Sequence, residues 1–451
     1  MFMLRKKINP RDFFDIKALN YQVKTKRLGQ VNYVNLDNAA TTTPFKSVLD
    51  GVNQYLVSYG SVHRGAGAKS KLSTDIYEDS RETIKNFVGA PRDSYVIFTE
   101  NTTGAMNAAA YFFSFLKGKV AVSTIEHSSS WLPWIKAEGM RGLKSQYDLK
   151  DMEAINEEIQ VLGRKQVLYY DVNENFEFDV KDLEKILKRN KIKAVVVTAA
   201  SNITGYCPDI ANISQIVHRY GAYFVVDGCQ YIQHHKIDMV KMGIDFLAAS
   251  GHKFYAPFGG GFLIGPKKFL DNFLPYQIGG GNLPYITKDG EFLRYKNQLA
   301  HDPGTPNAVG AVAMALALKK IREIGIGNIE KYEKNLTVRL FNYLISNPRV
   351  EVLVNRKNLT TIVTFIVTDK DSRVVAEILN KKYGIGVRAG SFCVYQVVRK
   401  LLKIKDESVI VASVKAGKTD KIPALIRASI SIYNTKDDID RMVAAIAELT
   451  A

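Results

Sequence analysis

A mostly parallel α/β sheet covered by helices, followed by a smaller α+β domain, is the fold class that the sequence predicts. Three observations carry it. Short apolar runs alternate with amphipathic segments from about residue 31 to about 306. A polar residue follows nearly every one of those runs. Beyond Pro306 the alternation stops, and a long helical stretch opens a region of different character.

In chain order, residues 95–98 (Tyr-Val-Ile-Phe), 119–122, 194–197, 224–226 and 246–248 are rich in Val, Ile and Phe and have no polar alternation. Such runs suit buried parallel strands, which are covered on both faces. Amphipathic segments lie between them, for example residues 213–220 before the Val225 run. Repeated strand–helix alternation predicts a parallel sheet with helices on both faces. After Pro306, residues 308–324 predict a long helix, and residues 360–365 and 428–432 predict strands of a second sheet. The organisation expected is a segment 1–30 packing with the small domain, a large domain 31–305 and a small domain 306–451. No internal repeat or low-complexity linker interrupts it.

The chain has 451 residues, 46% apolar and 24% charged, enough for two cored domains of ordinary globular composition. A net charge of +17 raises the question of nucleic acid. The lysines, however, alternate with acids in segments such as Lys181-Asp182-Leu183-Glu184-Lys185, the pattern of solvated helix faces. No nucleic-acid reader motif is present, so neither nucleic acid nor membrane is expected as a partner. An anionic cofactor or an acidic partner gains more from such a field. The mixed, charged opening (residues 1–11) has no targeting pattern, and a cytoplasmic location is expected. Cys207, Cys229 and Cys393 are too few and too far apart for a disulfide scaffold or a Cys-x-x-Cys site, so no metal is expected.

The chemistry is concentrated at the strand ends. Ser250-Gly251-His252-Lys253 follows one apolar run, and Asp227 closes the run beside it. An amine and a carboxylate at neighbouring strand ends can grip opposite sides of one ring. Pyridoxal phosphate needs that pair, a lysine for the Schiff base and an acid facing the pyridine nitrogen. Thr102 and Thr103 open an alanine-rich helix whose N-terminus suits a phosphate. His127 follows another strand, where an imidazole can stack on a flat ring. Asn202 and Gln230 can hydrogen-bond a ring oxygen. Each has an ordinary structural explanation as a cap or a turn; together they place one polar group at each strand end.

These residues resemble a known family. Asn35-Leu36-Asp37-Asn38-Ala39-Ala40-Thr41, Val62-His63-Arg64-Gly65, Glu126-His127, Asp227-Gly228-Cys229-Gln230, Ser250-Gly251-His252-Lys253, Gly304-Thr305-Pro306-Asn307 and Arg427-Ala428-Ser429-Ile430-Ser431 are similar, in order, to motifs of class V aminotransferases and cysteine desulfurases. The resemblance implies fold type I of the pyridoxal-phosphate enzymes, and a homodimer in which Thr305 reaches the neighbouring subunit's cofactor. It makes Thr102, Thr103 and Ser250 phosphate ligands, His127 the stacking ring and Asp227 the partner of the pyridine nitrogen. Lys253 becomes the Schiff-base lysine, with His252, Asn202 and Gln230 beside it. Arg427 would anchor the substrate carboxylate through a bidentate fork, with Arg388, Asn38, His63 and Arg64 also on the substrate side.

Cys393 divides the remaining readings. Val387-Arg388-Ala389-Gly390-Ser391-Phe392-Cys393 resembles the loop that carries the nucleophilic cysteine in the SufS-like branch of cysteine desulfurases, although Ser391 and Phe392 stand where that branch has histidines. Arg388 nearby would support a sulfur anion; the structural alternative is a buried thiol on an apolar loop. One reading is a cysteine desulfurase or selenocysteine lyase, with a sulfur-acceptor protein as partner. A second is a class V aminotransferase, epimerase or lyase acting on another amino acid, which needs Lys253 but not Cys393. A third is a non-catalytic scaffold or basic nucleic-acid binder on the same fold, against which Lys253, Asp227 and Arg427 all argue. The basic stretch 400–421 has no assigned purpose.

Overall fold

The computed structural model describes residues 9–143, 151–358 and 360–451. Its centre is a seven-stranded sheet. In chain order the strands are β1 (Ser94–Thr99), β2 (Lys119–Ser123), β3 (Val167–Tyr170), β4 (Ile192–Thr198), β5 (Tyr223–Asp227), β6 (Phe246–Ser250) and β7 (Gly261–Pro266). Across the sheet the order is β1-β7-β6-β5-β4-β2-β3. Neighbours from β6 to β3 are parallel, whereas β7 is antiparallel to both β6 and β1.

The five expected strands are all present, with one correction. The run at residues 95–98, expected to pair in parallel, makes only antiparallel pairs, with β7. That reversal has a local cause. β7 returns straight from the Lys253 turn through Phe258-Gly259-Gly260, too short a link for a parallel crossover. Its first residue has to be glycine: a Cβ on Gly261 would lie 2.6 Å from the Asn101 Cα. The turn thereby presses β7 against the start of helix Thr102–Ser114.

Helices cover both faces. On one face, Ser128–Gly142 crosses Met152–Arg164 so closely that a Cβ on Gly139 would sit 2.0 Å from the Ile159 carbonyl oxygen, and one on Gly163 equally close to the Ile135 oxygen. The Lys193 ammonium is bonded to Glu138 beneath this crossing. Gly163→Ala is expected to force the helices apart and destabilise the protein by about 1–3 kcal/mol, measurable as a lowered denaturation midpoint. A midpoint within error of wild type would show that the crossing yields at no cost.

The second sheet is antiparallel, with strands β8 (Val350–Val352), β9 (Ile362–Val367), β10 (Arg388–Gly390) and β11 (Leu425–Ser429) in the order β8-β9-β11-β10. The helices Ile326–Ser346, Ser372–Tyr383 and Lys436–Thr450 share its core. The change of core does not fall at Pro306. Helix Ala308–Ile324 buries Ala313, Met314, Ala317, Leu318 and Ile321 with the large sheet, and Leu336, Leu340 and Phe341 of the next helix belong to the small one. Val34 and Leu36 also lie in the small-domain core, because Val34–Asn35 pairs with Ile385–Gly386.

The N-terminal segment, where described, touches both domains. Phe14 packs against Phe45 and Tyr255 of the large domain, while the hairpin Gln22–Thr25/Gly29–Asn32 lies on Gly384. The expectation placed on residues 1–8 falls outside the described residues. Of two short helices near the basic stretch 400–421, Tyr395–Leu401 ends at its start and Ser408–Lys415 lies within it. The second buries no residue and leaves Val409 64% exposed.

Candidate functional site

Because β4, β5 and β6 are parallel neighbours, their ends lie side by side: Thr198 opposite Asp227, and Asp227 opposite Ala248, two residues before the end of β6. Ligand clefts of such sheets open at the carboxyl ends of the strands. Here a cleft of about 300 Å³ opens there, and its wall includes Thr102, Thr103, His127, Asn202, Asp227, Gln230, Ser250, His252, Lys253, Arg388, Cys393 and Arg427. Twelve of the sixteen candidates therefore meet in one place. The other four do not line it.

At the floor, Asp227 is buried, accepting from the Ser130 hydroxyl at 2.5 Å and the Cys229 N–H at 2.9 Å. His127 caps helix Ser128–Gly142, its Nδ1 accepting from the Ser129 N–H at 3.1 Å. Burial, then the Lys253 charge, pushes its pKa down to about 4, so the ring is neutral, with its proton on Nε2. His252 is likewise held at about 4 by burial and by Lys253. Its carbonyl accepts from the Thr41 and Thr42 hydroxyls, which clasp the turn that carries Lys253.

Beneath His127 lies a residue that the sequence did not single out as functional. Glu126 is buried, with Oε1 accepting from Ser123 Oγ (2.9 Å) and the Thr198 N–H (2.8 Å), while Oε2 has no partner among the described residues. Burial and the nearby Asp227 raise its pKa to about 8. A carboxyl raised in the folded state contributes stability that is fully present below about pH 4.5 and lost as pH rises toward about 8. Glu126→Gln removes that loss. Its stability relative to wild type is expected to improve by a few kcal/mol between pH 5 and pH 8, read from denaturant midpoints. Parallel pH profiles would refute the assignment.

One wall of the cleft rests on helix Thr102–Ser114. Asn101 caps it, accepting from the Gly104 N–H at 3.1 Å, and Thr103 Oγ1 meets Ser129 Oγ at 2.8 Å. Ser250 Oγ and Gln230 Oε1 are buried without partners among the described residues. Both residues line the cleft, and a polar ligand there would satisfy them. Thr102 donates to Cys229 Sγ (3.1 Å), and Gln230 Nε2 to the Ala39 carbonyl.

Arg427 is 2% exposed. Its Nη1 donates to the Asn202 carbonyl at 2.9 Å, its Nη2 to Asp37 Oδ1 at 3.1 Å, and its Nε has no partner among the described residues. Burial pulls its pKa down to about 10, still far above neutrality. The guanidinium lies 4.8 Å from the centre of the Phe392 ring.

The loop with Cys393 is pinned from several sides. Asn202 Nδ2 donates to the Phe392 carbonyl (2.9 Å), and the Ser128 N–H and hydroxyl both donate to the Cys393 carbonyl (2.8 Å each). Phe392 and Cys393 both take positive φ (51° and 57°), a conformation that costs about 1–2 kcal/mol for each such residue. Cys393 is exposed, contrary to a buried structural thiol; Cys229 is the buried one, and burial lifts the Cys207 thiol to about 12.

Four candidates fall elsewhere. Asn38 is buried in a network with Ser429 and Asn434, tying the first motif to β11. His63 pairs with Glu78 at 2.7 Å, and Arg64 packs over Gly281. Thr305 is exposed in a separate hollow beside Tyr77 and Asp302. His63, Glu78 and Asp302 cluster at metal-like spacing, but Arg81 already bonds both acids.

Comparison with known proteins agrees with this geometry. The family model "Aminotransferase class-V" matches residues 34–156 and 151–442. The chain belongs to that family. A probable cysteine desulfurase of Pyrococcus abyssi is 31% identical over 92% of this chain and 94% of its own. Another, of Halalkalibacterium halodurans, is 30% identical over 95% of each chain. Among solved structures, the apo cysteine desulfurase of Thermococcus onnurineus NA1 superposes with a TM-score of 0.77 at 29% identity, covering 93% of this chain and 94% of that one. The fold is type I of the pyridoxal-phosphate enzymes. No helix among the described residues is long and apolar enough to cross a membrane.

Proposed function

We propose that the chain is a pyridoxal-phosphate-dependent cysteine desulfurase with its loop in the SufS-like arrangement. The residues fit the cofactor: an amine at Lys253, a buried carboxylate at Asp227, a neutral flat ring at His127, and an orphaned hydroxyl at Ser250 near a helix N-terminus. Bound there, pyridoxal phosphate supplies an electron sink for bonds at the substrate's α- and β-carbons. Asp227 would lie against the pyridine nitrogen and sustain its positive charge. Ser250, Thr102 and Thr103 would hold the phosphate, and Asn202 and Gln230 would serve the ring oxygen. Lys253 takes and returns the α-proton, and Arg427 receives the α-carboxylate.

One observation carries the sulfur chemistry: the exposed thiol of Cys393 lines the same cleft as Lys253 and Arg427. Its sulfur attacks the substrate sulfur. The S–S bond forms as the Cβ–S bond breaks, the electron pair stays with the carbon, and a proton there completes alanine. Cysteine plus enzyme thiol gives alanine plus enzyme persulfide. The exposed loop can then hand its sulfur to an acceptor protein. A homodimer belongs to the same reading, and it is supported by Thr305 being exposed and outside its own chain's cleft, as a residue serving a neighbour's phosphate would be.

The test is incubation with L-cysteine and a reductant while sulfide and alanine are measured. Equal yields of both are expected. A keto acid in place of alanine would favour an aminotransferase, and no turnover of cysteine would end the desulfurase reading.

A further inference from the structure

Between β10 and β11 the chain makes an excursion that the core does not use. Gly390 and Leu425 pair where the two strands meet it, and the Ser391 hydroxyl donates to the Pro423 carbonyl at 2.9 Å. The segment 402–422 therefore leaves and returns beside the Cys393 loop. Helix Tyr395–Leu401, which starts two residues after Cys393, is fixed to the large domain by the bond from Lys400 to Asp171. Beyond it, helix Ser408–Lys415 buries no residue, and Val411 and Val414 are each 48% exposed. Apolar side chains left in water among charged ones mark a contact surface. The charges here are positive. Residues 400–421 hold six lysines against three acids. Asp171 takes Lys400 and Asp420 takes Lys421, whereas Lys403, Lys405, Lys415 and Lys418 are exposed with no ion pair among the described residues.

We propose that the segment 402–422 is the docking surface for a sulfur-acceptor protein whose contact face carries acidic residues around an apolar patch. This rests on the reading that Cys393 carries a persulfide. Charge favours an acidic partner, since the four lysines raise its local concentration and orient its approach. The valines supply the apolar contact that holds it. Nucleic acid fits less well. Residues 400–421 contain no arginine and no aromatic residue, the groups that fork to phosphate and guanine or stack on bases. The docked partner's thiolate attacks the outer sulfur of the Cys393 persulfide. The new S–S bond forms as the old one breaks, Cys393 leaves as a thiolate and takes up the proton that the acceptor lost, and the acceptor carries the sulfur away as its own persulfide.

The experiment uses the cofactor-loaded protein, L-cysteine and two synthetic peptides that differ only in carrying glutamates or lysines around a leucine-flanked cysteine. Sulfur transfer to each peptide is measured at low salt, with sulfide release to dithiothreitol as the reference. Wild type is expected to serve the acidic peptide at least about fivefold faster than the basic one. Lys405→Glu/Lys415→Glu/Lys418→Glu is expected to lower that ratio by at least about fivefold, with release to dithiothreitol within about twofold of wild type. Val411→Ser/Val414→Ser is expected to slow transfer to the acidic peptide about threefold. Lys117→Glu/Lys165→Glu/Lys191→Glu makes the same change in net charge at exposed positions just before β2, β3 and β4, at the strand ends away from the cleft, and is expected to leave the ratio near wild type. A ratio unchanged in the first triple variant, or lowered equally in the second, overturns the proposal. So does binding of labelled single-stranded RNA, or self-association, that the first triple variant abolishes while the peptide ratio stays. If that variant does not fold, the direction of the smaller shift in Lys405→Glu alone decides. No sulfide from wild type with dithiothreitol removes the desulfurase reading and this proposal together; release to dithiothreitol with an unchanged peptide ratio removes this proposal alone.

Discussion

Replacing Lys253 by alanine is expected to abolish turnover of any amino acid, with a loss of at least about 10³-fold. The reason is positional. Lys253 ends the turn after β6, which Thr41 and Thr42 clasp through the His252 carbonyl, so its amine is presented to the cleft by a fixed backbone. A water or a neighbouring side chain cannot occupy that point with the same orientation, and His127, held near 4 by burial and by Lys253, is too weak a base to replace it. A second readout separates chemistry from folding. After borohydride reduction and denaturation, wild type is expected to keep the cofactor covalently attached at Lys253, seen by mass spectrometry. The variant is expected to carry none while retaining its melting temperature within a few degrees. Attachment at another lysine would displace Lys253 from this role. Lys253→Arg is expected to fare no better, because a guanidinium is not deprotonated in proteins.

The parts legible in sequence are those encoded over short stretches. Asp227, Ser250 and Lys253 could be read because each ends or follows a buried run of apolar residues, and parallel strands deliver their ends to one edge. Helix Ala308–Ile324 matches the expected segment because periodicity over seventeen residues is a strong signal. β7 escaped because its opening glycine reads as loop, although contact with Asn101 is what demands it. β3 spans only four residues.

Partnerships across the chain were not legible at all. Asp37 and Arg427 are 390 residues apart, and Ser128 and Cys393 are 265 apart. Nothing local marks Ser128 as the group that holds a cysteine loop. The same limit explains Asn38, His63 and Arg64. Their motifs belong to the family, but a motif shows that residues occur together, not which of them face the cleft. Core membership was hidden for a related reason: helix Ala308–Ile324 packs with the large sheet although the sequence character changes at Pro306.

The second large effect is at Cys393. Cys393→Ser is expected to lower sulfide release from L-cysteine by at least about 10³-fold, since a neutral hydroxyl is a far weaker nucleophile toward sulfur than a thiol. The substitution removes little else. The residue is exposed, its φ of 57° is no harder for serine than for cysteine, and the Ser128 bonds go to its backbone carbonyl, which is unchanged. Stability is therefore expected to stay within about 0.5 kcal/mol. Cys229→Ser is the contrasting control. That thiol is buried, and burial raises its pKa, so it is no candidate for attack. Replacing it should change melting more than the identity of the product. If Cys393→Ser released sulfide at the wild-type rate, sulfur would leave without a protein nucleophile, and the exposed, doubly left-handed loop would need another purpose. If it lost sulfide release but still bound cysteine, substrate recognition by Arg427 on β11 and sulfur transfer by Cys393, in the loop after its neighbour β10, would be separable functions.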